Sequence, residues 1–204
     1  MMNTLIFAPA RSGSTSLYNA IHAMAGMKPD PMGLEPFDPS KPHGSLKASN
    51  IATYTIRKAK IVKHLWNQVS PADNQEIIRA AGIRKIILLY RRQVFSQAIS
   101  RLVARVTREW AAPISDQAPF AIYNDTVFTQ IQYFVYSIQA NAAMIRESGV
   151  PAIVVAYEDL YSPRMITRRG ELRRIIKHIG LYRPDVESAM SFLNPKNKYK
   201  DVSY

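Results

Sequence analysis

The chain has 204 residues, no cysteine, and a net charge of +12 from 27 basic and 15 acidic residues. The lack of cysteine excludes disulfides, thiolate metal sites and cysteine nucleophiles. A hydrophobic content of 47% is enough for a buried core, so we expect residues 1–204 to form a single domain. No apolar run reaches the ~18 residues of a membrane helix, and no signal-peptide pattern opens the chain. We therefore expect no membrane span and a cytoplasmic location.

The positive charge is concentrated in two parts of the chain. Residues 51–110 hold 12 basic and 3 acidic residues, and residues 161–204 hold 10 and 4. Residues 111–160, by contrast, hold 1 basic and 5 acidic residues. Such a distribution favours a polyanionic partner, which is a nucleic acid, an anionic membrane surface or a nucleotide with several phosphates.

The N-terminal segment predicts a strand, a turn of small residues and a helix. Thr4–Phe7 is apolar and partly β-branched, and the helical spacing of Leu17, Ile21 and Met24 predicts a helix that begins near Ser14. The first N–H groups of a helix lack intrahelical partners and lie at the positive end of its dipole, which makes them an anion site. Arg11 adds a forked donor suited to phosphate or sulfate oxygens.

The loop between this strand and helix differs from the Walker A pattern of kinases and ATPases. That pattern requires Gly at Ala8 and Lys at Ser14, and the lysine that reaches the β- and γ-phosphates is absent. An ordinary strand-to-helix turn, in which Gly13 and the serines only satisfy turn geometry and capping, is the alternative to an anion site.

The rest of the chain predicts strands and helices in alternation. A proline-rich loop covers Gly26–Asn50, contains the carboxylates of Glu35 and Asp38, and precedes a short helical turn over Ile51–Ala59. The later predicted elements are a strand over Ile61–Trp66, a helix from the N-cap Ser70 to Gly82, a strand over Lys85–Tyr90, a helix from behind Arg92 to about Trp110, a helix from about Tyr123 to Glu147, a strand over Ala152–Ala156, and a basic helix from about Arg164 to Ile179.

Two details of these elements bear on the site. In the helix that follows Arg92, an apolar set predicts the core side, namely Val94, Phe95, Ala98, Ile99, Leu102 and Val106. Glu158 and Asp159 follow the last predicted strand, and we expect them to cap the next helix rather than to act in catalysis.

The alternation predicts an α/β fold with a mostly parallel central sheet and helices on both faces. Ligands of such sheets bind beyond the C-terminal strand ends. Those ends carry Arg11, Lys63 with His64, Arg91 with Arg92, and Glu158 with Asp159. The sheet edge where a ligand is expected is therefore mostly cationic. The four histidines are scattered without metal-ligand spacing, so we expect no metal site.

Three separated segments resemble sulfotransferases that use 3′-phosphoadenosine 5′-phosphosulfate as donor. R-S-G-S-T at Arg11–Thr15 resembles their 5′-phosphosulfate loop, and Tyr90–Ser100 resembles their 3′-phosphate segment, with a Ser eight residues after Arg92. V-V-A-Y-E-D-L at Val154–Leu160 is similar to a strand end common in the family. The bacterial carbohydrate-type branch, with the trehalose and nodulation-factor enzymes, is most similar, through G-L-E-P-F at Gly33–Phe37, V-K-H-L-W-N-Q at Val62–Gln68, Q-A-I-S at Gln97–Ser100 and T-R-E-W at Thr107–Trp110.

The resemblance implies a single-domain enzyme with a P-loop-NTPase-like sulfotransferase fold that sulfates a hydroxyl of a carbohydrate or glycolipid without a metal. It implies that the donor is bound by Arg11, Ser12, Gly13, Ser14, Thr15, Ser16, Arg92 and Ser100. We also expect Arg92 and Ser100 to hold one phosphate from two sides.

For the reaction itself, the resemblance implies Glu35 as general base and Arg11 facing the leaving phosphate. His64 is the rival base because its ordinary pKa suits the task. Lys63 is expected to balance charge on the transferring sulfuryl group. No nucleic-acid partner is expected, and a homodimer remains an open question.

Two other functions stay as alternatives to this enzyme. One is a nucleic-acid-binding module that uses the basic helix around Arg168, Arg169, Arg173 and Arg174, which predicts salt-dependent binding that survives Arg11→Ala. The other is a P-loop kinase, which Ser14 at the lysine position disfavours.

Overall fold

The computed structural model describes residues 3–38, 59–80, 82–107 and 123–193. The predicted turn over Ile51–Ala59 and the helix end near Trp110 lie outside this part of the chain, apart from Ala59. The strands are β1 (Thr4–Ala8), β2 (Ile61–Leu65), β3 (Lys85–Tyr90) and β4 (Ala152–Ala156). The helices are α1 (Ser14–Met24), α2 (Pro71–Arg79), α3 (Val94–Thr107), α4 (Asn124–Ser148), α5 (Tyr157–Leu160), α6 (Met165–Ile179) and α7 (Val186–Met190).

The four described strands form one parallel sheet in the order β2-β1-β3-β4. Thr4 of β1 lies opposite Ile61 of β2 and Lys85 of β3, so the three strands begin at the same level. The α/β class with a parallel sheet is therefore confirmed. Because the strands are parallel, their C-terminal ends meet at one edge, where the predicted site residues were expected.

Helices cover both faces of the sheet, and side-chain alternation along the strands divides the core in two. On one face, Ile6 and Ala8 of β1 pack in a cluster with residues of α1, α6 and α7. On the other face, Leu5 and Phe7 pack in a second cluster with residues of α2 and α4. Within the described ranges, no helix is long and apolar enough to span a bilayer.

Local sequence signals fix several helix ends. The Ser70 hydroxyl accepts from the Asp73 N–H at 3.1 Å and the Asp73 carboxylate accepts from the Ser70 N–H, so the predicted N-cap of α2 is a capping box. Gly149 ends α4 and Gly180 ends α6, both in the left-handed conformation that glycine adopts without strain. Helix α2 ends at Arg79, three residues before the predicted Gly82, because Ala80 already has extended backbone.

The predicted core side of α3 is wrong in part. Phe95 is 49% exposed and Val106 is 58% exposed, whereas the polar side chains of Gln97 and Ser100 are buried. The side of the helix that carries Gln97 and Ser100 faces the loop after β1. Ala10 and Arg11 of this loop are hydrogen-bond partners of the two side chains. Ala98 and Leu102 are buried as predicted, but apolar periodicity misses the polar part of the buried side, because the helix packs against a polar loop as well as against the core.

Candidate active site

The loop between β1 and α1 depends on the backbone of Gly13. Gly13 has φ 78°, and a Cβ there would lie 2.8 Å from the ring of Tyr161 and 2.9 Å from that of Tyr157. The two rings stack at 4.4 Å, and the Tyr161 hydroxyl donates to the Gly13 carbonyl at 2.6 Å. Burial raises the pKa of Tyr161 far above its usual range, so this hydroxyl remains a proton donor. Only glycine fits this turn.

Side chains from three other parts of the chain hold the same loop. Gln97, fully buried on α3, donates to the Ala10 carbonyl at 2.8 Å, and the Asn67 side-chain oxygen accepts from the Ala10 N–H at 3.0 Å. Within the loop, the Ser12 hydroxyl donates to the Pro9 carbonyl at 2.8 Å. The loop is thus preorganised by hydrogen bonds at each of its early residues.

The N–H groups of Ser12, Gly13, Ser14, Thr15 and Ser16 have no acceptor among the described residues. These residues form the last part of the loop and the first turn of α1, where no carbonyl lies one turn earlier. Five consecutive donors without such an acceptor, at the positive end of a helix, have the geometry that suits an anion, and the anion site itself stays a prediction. We refer to Ser12–Ser16 as the anion cradle.

A carboxylate and a buried ammonium lie beside the anion cradle. Lys63 of β2 is 2% exposed, forms an ion pair with Glu35 and donates to the Thr15 hydroxyl oxygen at 2.8 Å. The other oxygen of Glu35 accepts from the Gln68 amide at 2.8 Å. The structure therefore brings together Glu35, Lys63 and Thr15 from three separate parts of the sequence.

The segment that carries Glu35 is fixed to the edge of the sheet. Leu34 pairs with Lys63 in a parallel bridge, and the Glu35 N–H donates to the Lys63 carbonyl at 2.9 Å. A Cβ on Gly33 would collide with the Ile61 carbonyl and lie 2.6 Å from the Tyr18 hydroxyl. Glu35 has φ 52°, a conformation uncommon for a residue with a side chain, which the anchored segment holds in place.

His64 lies on the opposite face of the sheet from Lys63. Its ring is fully buried between Phe7 and Phe37, and Nε2 donates to the Asn74 side-chain oxygen at 2.8 Å. Burial lowers the pKa of His64 to about 4, so the ring is neutral near pH 7. Consecutive strand residues point to opposite faces, so Lys63 and His64 cannot serve the same site.

Arg92 and Ser100 are not paired with each other. The Ser100 hydroxyl accepts from Arg11 Nε at 2.9 Å, whereas Arg92 forms ion pairs with Asp159 and Glu158. The hydrogen bond to Asp159 raises the pKa of Arg92. Arg92 lies before the first turn of α3 and meets the carboxylates behind β4, while Ser100 lies on the buried side that faces Arg11. Ser100 thus contacts Arg11 rather than Arg92, and the clamp of one phosphate by Arg92 and Ser100 stays a prediction.

The carboxylate of Glu158 caps a different helix from the one expected. Its two oxygens accept from the N–H groups of Arg92 and Gln93, each at 3.0 Å, immediately before α3. The sequence predicted a cap on the following helix, but Glu158 itself lies within the short helix α5 and reaches across the sheet edge to α3. Glu158 therefore caps a helix, as expected, but that helix is α3 and not the one that follows it in the chain.

Arg91 is a cation of the sheet edge that the predicted site omitted. Its guanidinium lies 4.3 Å from the centre of the Tyr157 ring and donates to the Arg11 carbonyl at 3.3 Å. Among the described residues, its buried Nε has no hydrogen-bond partner, which is uncommon for a charged donor. Arg91 thus adds positive charge behind the loop of Arg11.

Gln68 and Gln97 have structural roles that the sequence did not predict. Both occur in the segments that carry the family resemblance, where they had no assigned function. Gln68 positions the carboxylate of Glu35, and Gln97 holds the Ala10 carbonyl of the loop before the anion cradle. Their positions inside the segments that resemble the family were the only signal that the sequence offered for these roles.

Comparisons with known proteins add no family assignment. No protein-family model matches the chain, and no curated protein matches it either.

Proposed function

We propose that the chain is a sulfotransferase, which moves a sulfuryl group from 3′-phosphoadenosine 5′-phosphosulfate to a hydroxyl of a carbohydrate or glycolipid acceptor. The observation that carries the proposal is the contact of one buried ammonium, Lys63, with both the carboxylate of Glu35 and the hydroxyl of Thr15 in the anion cradle. Sulfuryl transfer needs an anion site and a base side by side, because the acceptor hydroxyl must lose a proton while negative charge accumulates nearby.

The residues present fit the donor. The N–H groups of Ser12–Ser16, which have no acceptor among the described residues, suit its 5′-phosphosulfate, and Arg11, which donates to Ser100, supplies a cation for the leaving phosphate. Arg92 lies at the same sheet edge, half-exposed and paired with Asp159. When bound, the donor supplies a sulfuryl group on a phosphate leaving group.

Glu35 is the base of the proposed reaction. Its side chain is 21% exposed, so an acceptor in solvent can reach it, whereas His64 is fully buried on the other face of the sheet. The acceptor hydroxyl gives its proton to the carboxylate as its oxygen bonds to sulfur and the bond from sulfur to the phosphate oxygen breaks. Lys63 balances negative charge at the same point.

The nucleic-acid alternative has less support. Three of the four arginines assigned to it form hydrogen bonds or ion pairs with other residues of the same chain. Arg168 is buried and donates to the Ser162 carbonyl at 2.9 Å, Arg169 pairs with Glu187, and Arg174 pairs with Glu171. Only Arg173 of this set is exposed without such a pair among the described residues.

The test is a calorimetric and thermal-shift titration with adenosine 3′,5′-bisphosphate. We expect a stabilisation of about 3–4 kcal/mol at 100–1,000 times the Kd. Arg11→Ala should abolish most of it, and the matched control Arg173→Ala should not. The proposal is wrong if millimolar bisphosphate produces no shift. Magnesium-dependent ATP turnover would favour the kinase instead.

A further inference from the structure

The ammonium of Lys63 is shared by two groups with different tasks. One is the carboxylate of Glu35, 28 residues away in sequence, and the other is the hydroxyl of Thr15, 48 residues away. The side chain is almost completely buried, so these contacts help to offset the loss of hydration of the charge. The cation is therefore a physical link between the base and the anion cradle.

The hydrogen bond from Lys63 also orients the Thr15 hydroxyl. A hydroxyl has a single proton, and an oxygen that accepts from an ammonium directs that proton elsewhere. Among the described residues, the Thr15 hydroxyl proton has no acceptor. It can therefore act as one more donor to an anion held by the N–H groups of Ser12–Ser16.

We propose that Glu35 and an anion in the cradle compete for the charge of Lys63, so that each weakens the interaction of the other with it. The role of Glu35 in this proposal rests on the proposed function. If Glu35 is the base, the competition sets an order of events. Before the donor binds, Lys63 holds Glu35 in an ion pair. Donor binding at Thr15 draws on the same charge and leaves the carboxylate more available for the acceptor proton.

Lys63 is a positioning residue in this scheme, because it acts through Glu35 and Thr15. Coupling between two binding events is reciprocal, so it can be measured from the anion side alone. If Glu35 reduces the effect of Lys63 on the anion, removal of the carboxylate charge must tighten anion binding. This result is the opposite of what damage to a binding site produces.

The experiment is a double-mutant cycle on the full chain, with affinities for adenosine 3′,5′-bisphosphate and for inorganic sulfate measured by calorimetry. The variants are Glu35→Gln, Lys63→Met and the two combined. We expect Glu35→Gln to tighten binding of both probes about tenfold when Lys63 is present and less than about threefold when it is absent. Glu187→Gln, which removes a negative charge paired with Arg169, is the matched control and should leave both affinities unchanged.

Equal factors in both backgrounds would mean simple repulsion between Glu35 and the anion and would overturn the coupling. Should Lys63→Met fail to fold, the cycle is run with Thr15→Val, which removes the hydroxyl contact but keeps the shape. There the gain from Glu35→Gln must shrink likewise, and an undiminished gain would overturn the coupling.

The two probes separate this inference from the proposed function. Coupled binding of sulfate without any binding of the bisphosphate would support the coupling and overturn the sulfotransferase. Bisphosphate binding with equal factors would do the reverse. A wild-type chain that binds neither probe would overturn both.

Discussion

Lys63 and His64 are neighbours on β2, and both are buried, yet the two faces of the sheet treat them differently. On the α1 face, Lys63 forms an ion pair with Glu35 and donates to the Thr15 hydroxyl. On the α2 face, His64 has one hydrogen bond to Asn74 and two aromatic neighbours, and burial lowers its pKa to about 4. The α1 face thus holds a largely buried ion pair, whereas the α2 face favours the neutral form of its buried histidine.

The difference explains why the proposed site lies on the α1 face only. A buried ionisable group either gains partners for its charged form or shifts its pKa until it is neutral. The α1 face supplies partners from a loop and a helix N-terminus, where Thr15 is exposed and Glu35 is 21% exposed. The α2 face supplies a closed core, where a histidine contributes packing and one hydrogen bond.

The largest expected effect separates the two faces by activity. Glu35→Gln should lower kcat about 10²–10⁴-fold, since the amide cannot accept the acceptor proton. His64→Leu should leave turnover within a few-fold, because the ring of His64 is fully buried in the α2 face. Release of adenosine 3′,5′-bisphosphate with a panel of sugars measures both. An inactive His64→Leu that folds normally, beside an active Glu35→Gln, would reverse the assignment.

The next largest effect concerns the stability of the α1 face when Lys63 is replaced. Lys63→Met leaves Glu35 without its cation and should lower the free energy of unfolding by about 3 kcal/mol, the lower end for a broken buried pair. The low end applies because Glu35 is 21% exposed and can be rehydrated. Urea denaturation of Lys63→Met and of the double variant Lys63→Met/Glu35→Gln tests this. The double variant should recover most of the loss, and a strictly additive loss would contradict it.

The neutral face should respond to pH. The pKa of His64 is about 4 in the folded state and near 6.5 when unfolded, so between these values only the unfolded chain gains the proton. Stability from His64 is thus complete above pH 6.5 and is lost as the pH falls toward 4, by about 3 kcal/mol in total. Denaturation of the wild type and of His64→Leu at pH 7 and pH 4.5 isolates this loss from other histidines.

At pH 7, His64→Leu should be the less stable protein by about 1–3 kcal/mol, because Asn74 loses a buried partner. That difference should shrink or reverse at pH 4.5, where the wild type carries the histidine penalty. A difference that stays constant between the two pH values would show that His64 is protonated in the folded protein as readily as in the unfolded one.

Local signals in the sequence predicted much of the fold. Strand β3 follows directly from the apolar run Lys85–Tyr90, and the capping box at Ser70 and the terminal glycines fix helix ends within a few residues. The anion cradle is also local, since a strand, a glycine turn and a helix N-terminus suffice for it. The opposite orientation of Lys63 and His64 was available from strand alternation as well, although both were assigned to one strand end.

Contacts between distant segments could not be predicted in the same way. Ser100 pairs with Arg11 across 89 residues, and Arg92 meets Glu158 across 66. Several cations and hydroxyls gather at one sheet edge, and a side chain as long as arginine reaches more than one of them. Which pairs form depends on packing of α3 against the loop, and a spacing of eight residues in one segment carries no information on that packing.

The smallest expected effect separates two neighbouring residues, Gln68 and Asn67, that contact different parts of the proposed site. Gln68 donates to Glu35, and its neighbour Asn67 accepts from the Ala10 N–H of the loop. Gln68→Leu should lower kcat several-fold, about 1 kcal/mol, and leave the bisphosphate affinity unchanged, because it disturbs only the carboxylate. Asn67→Leu should instead weaken bisphosphate binding by a similar factor. Steady-state kinetics and calorimetry on both variants distinguish them, and equal changes in both parameters would show that base and cradle are not separately positioned.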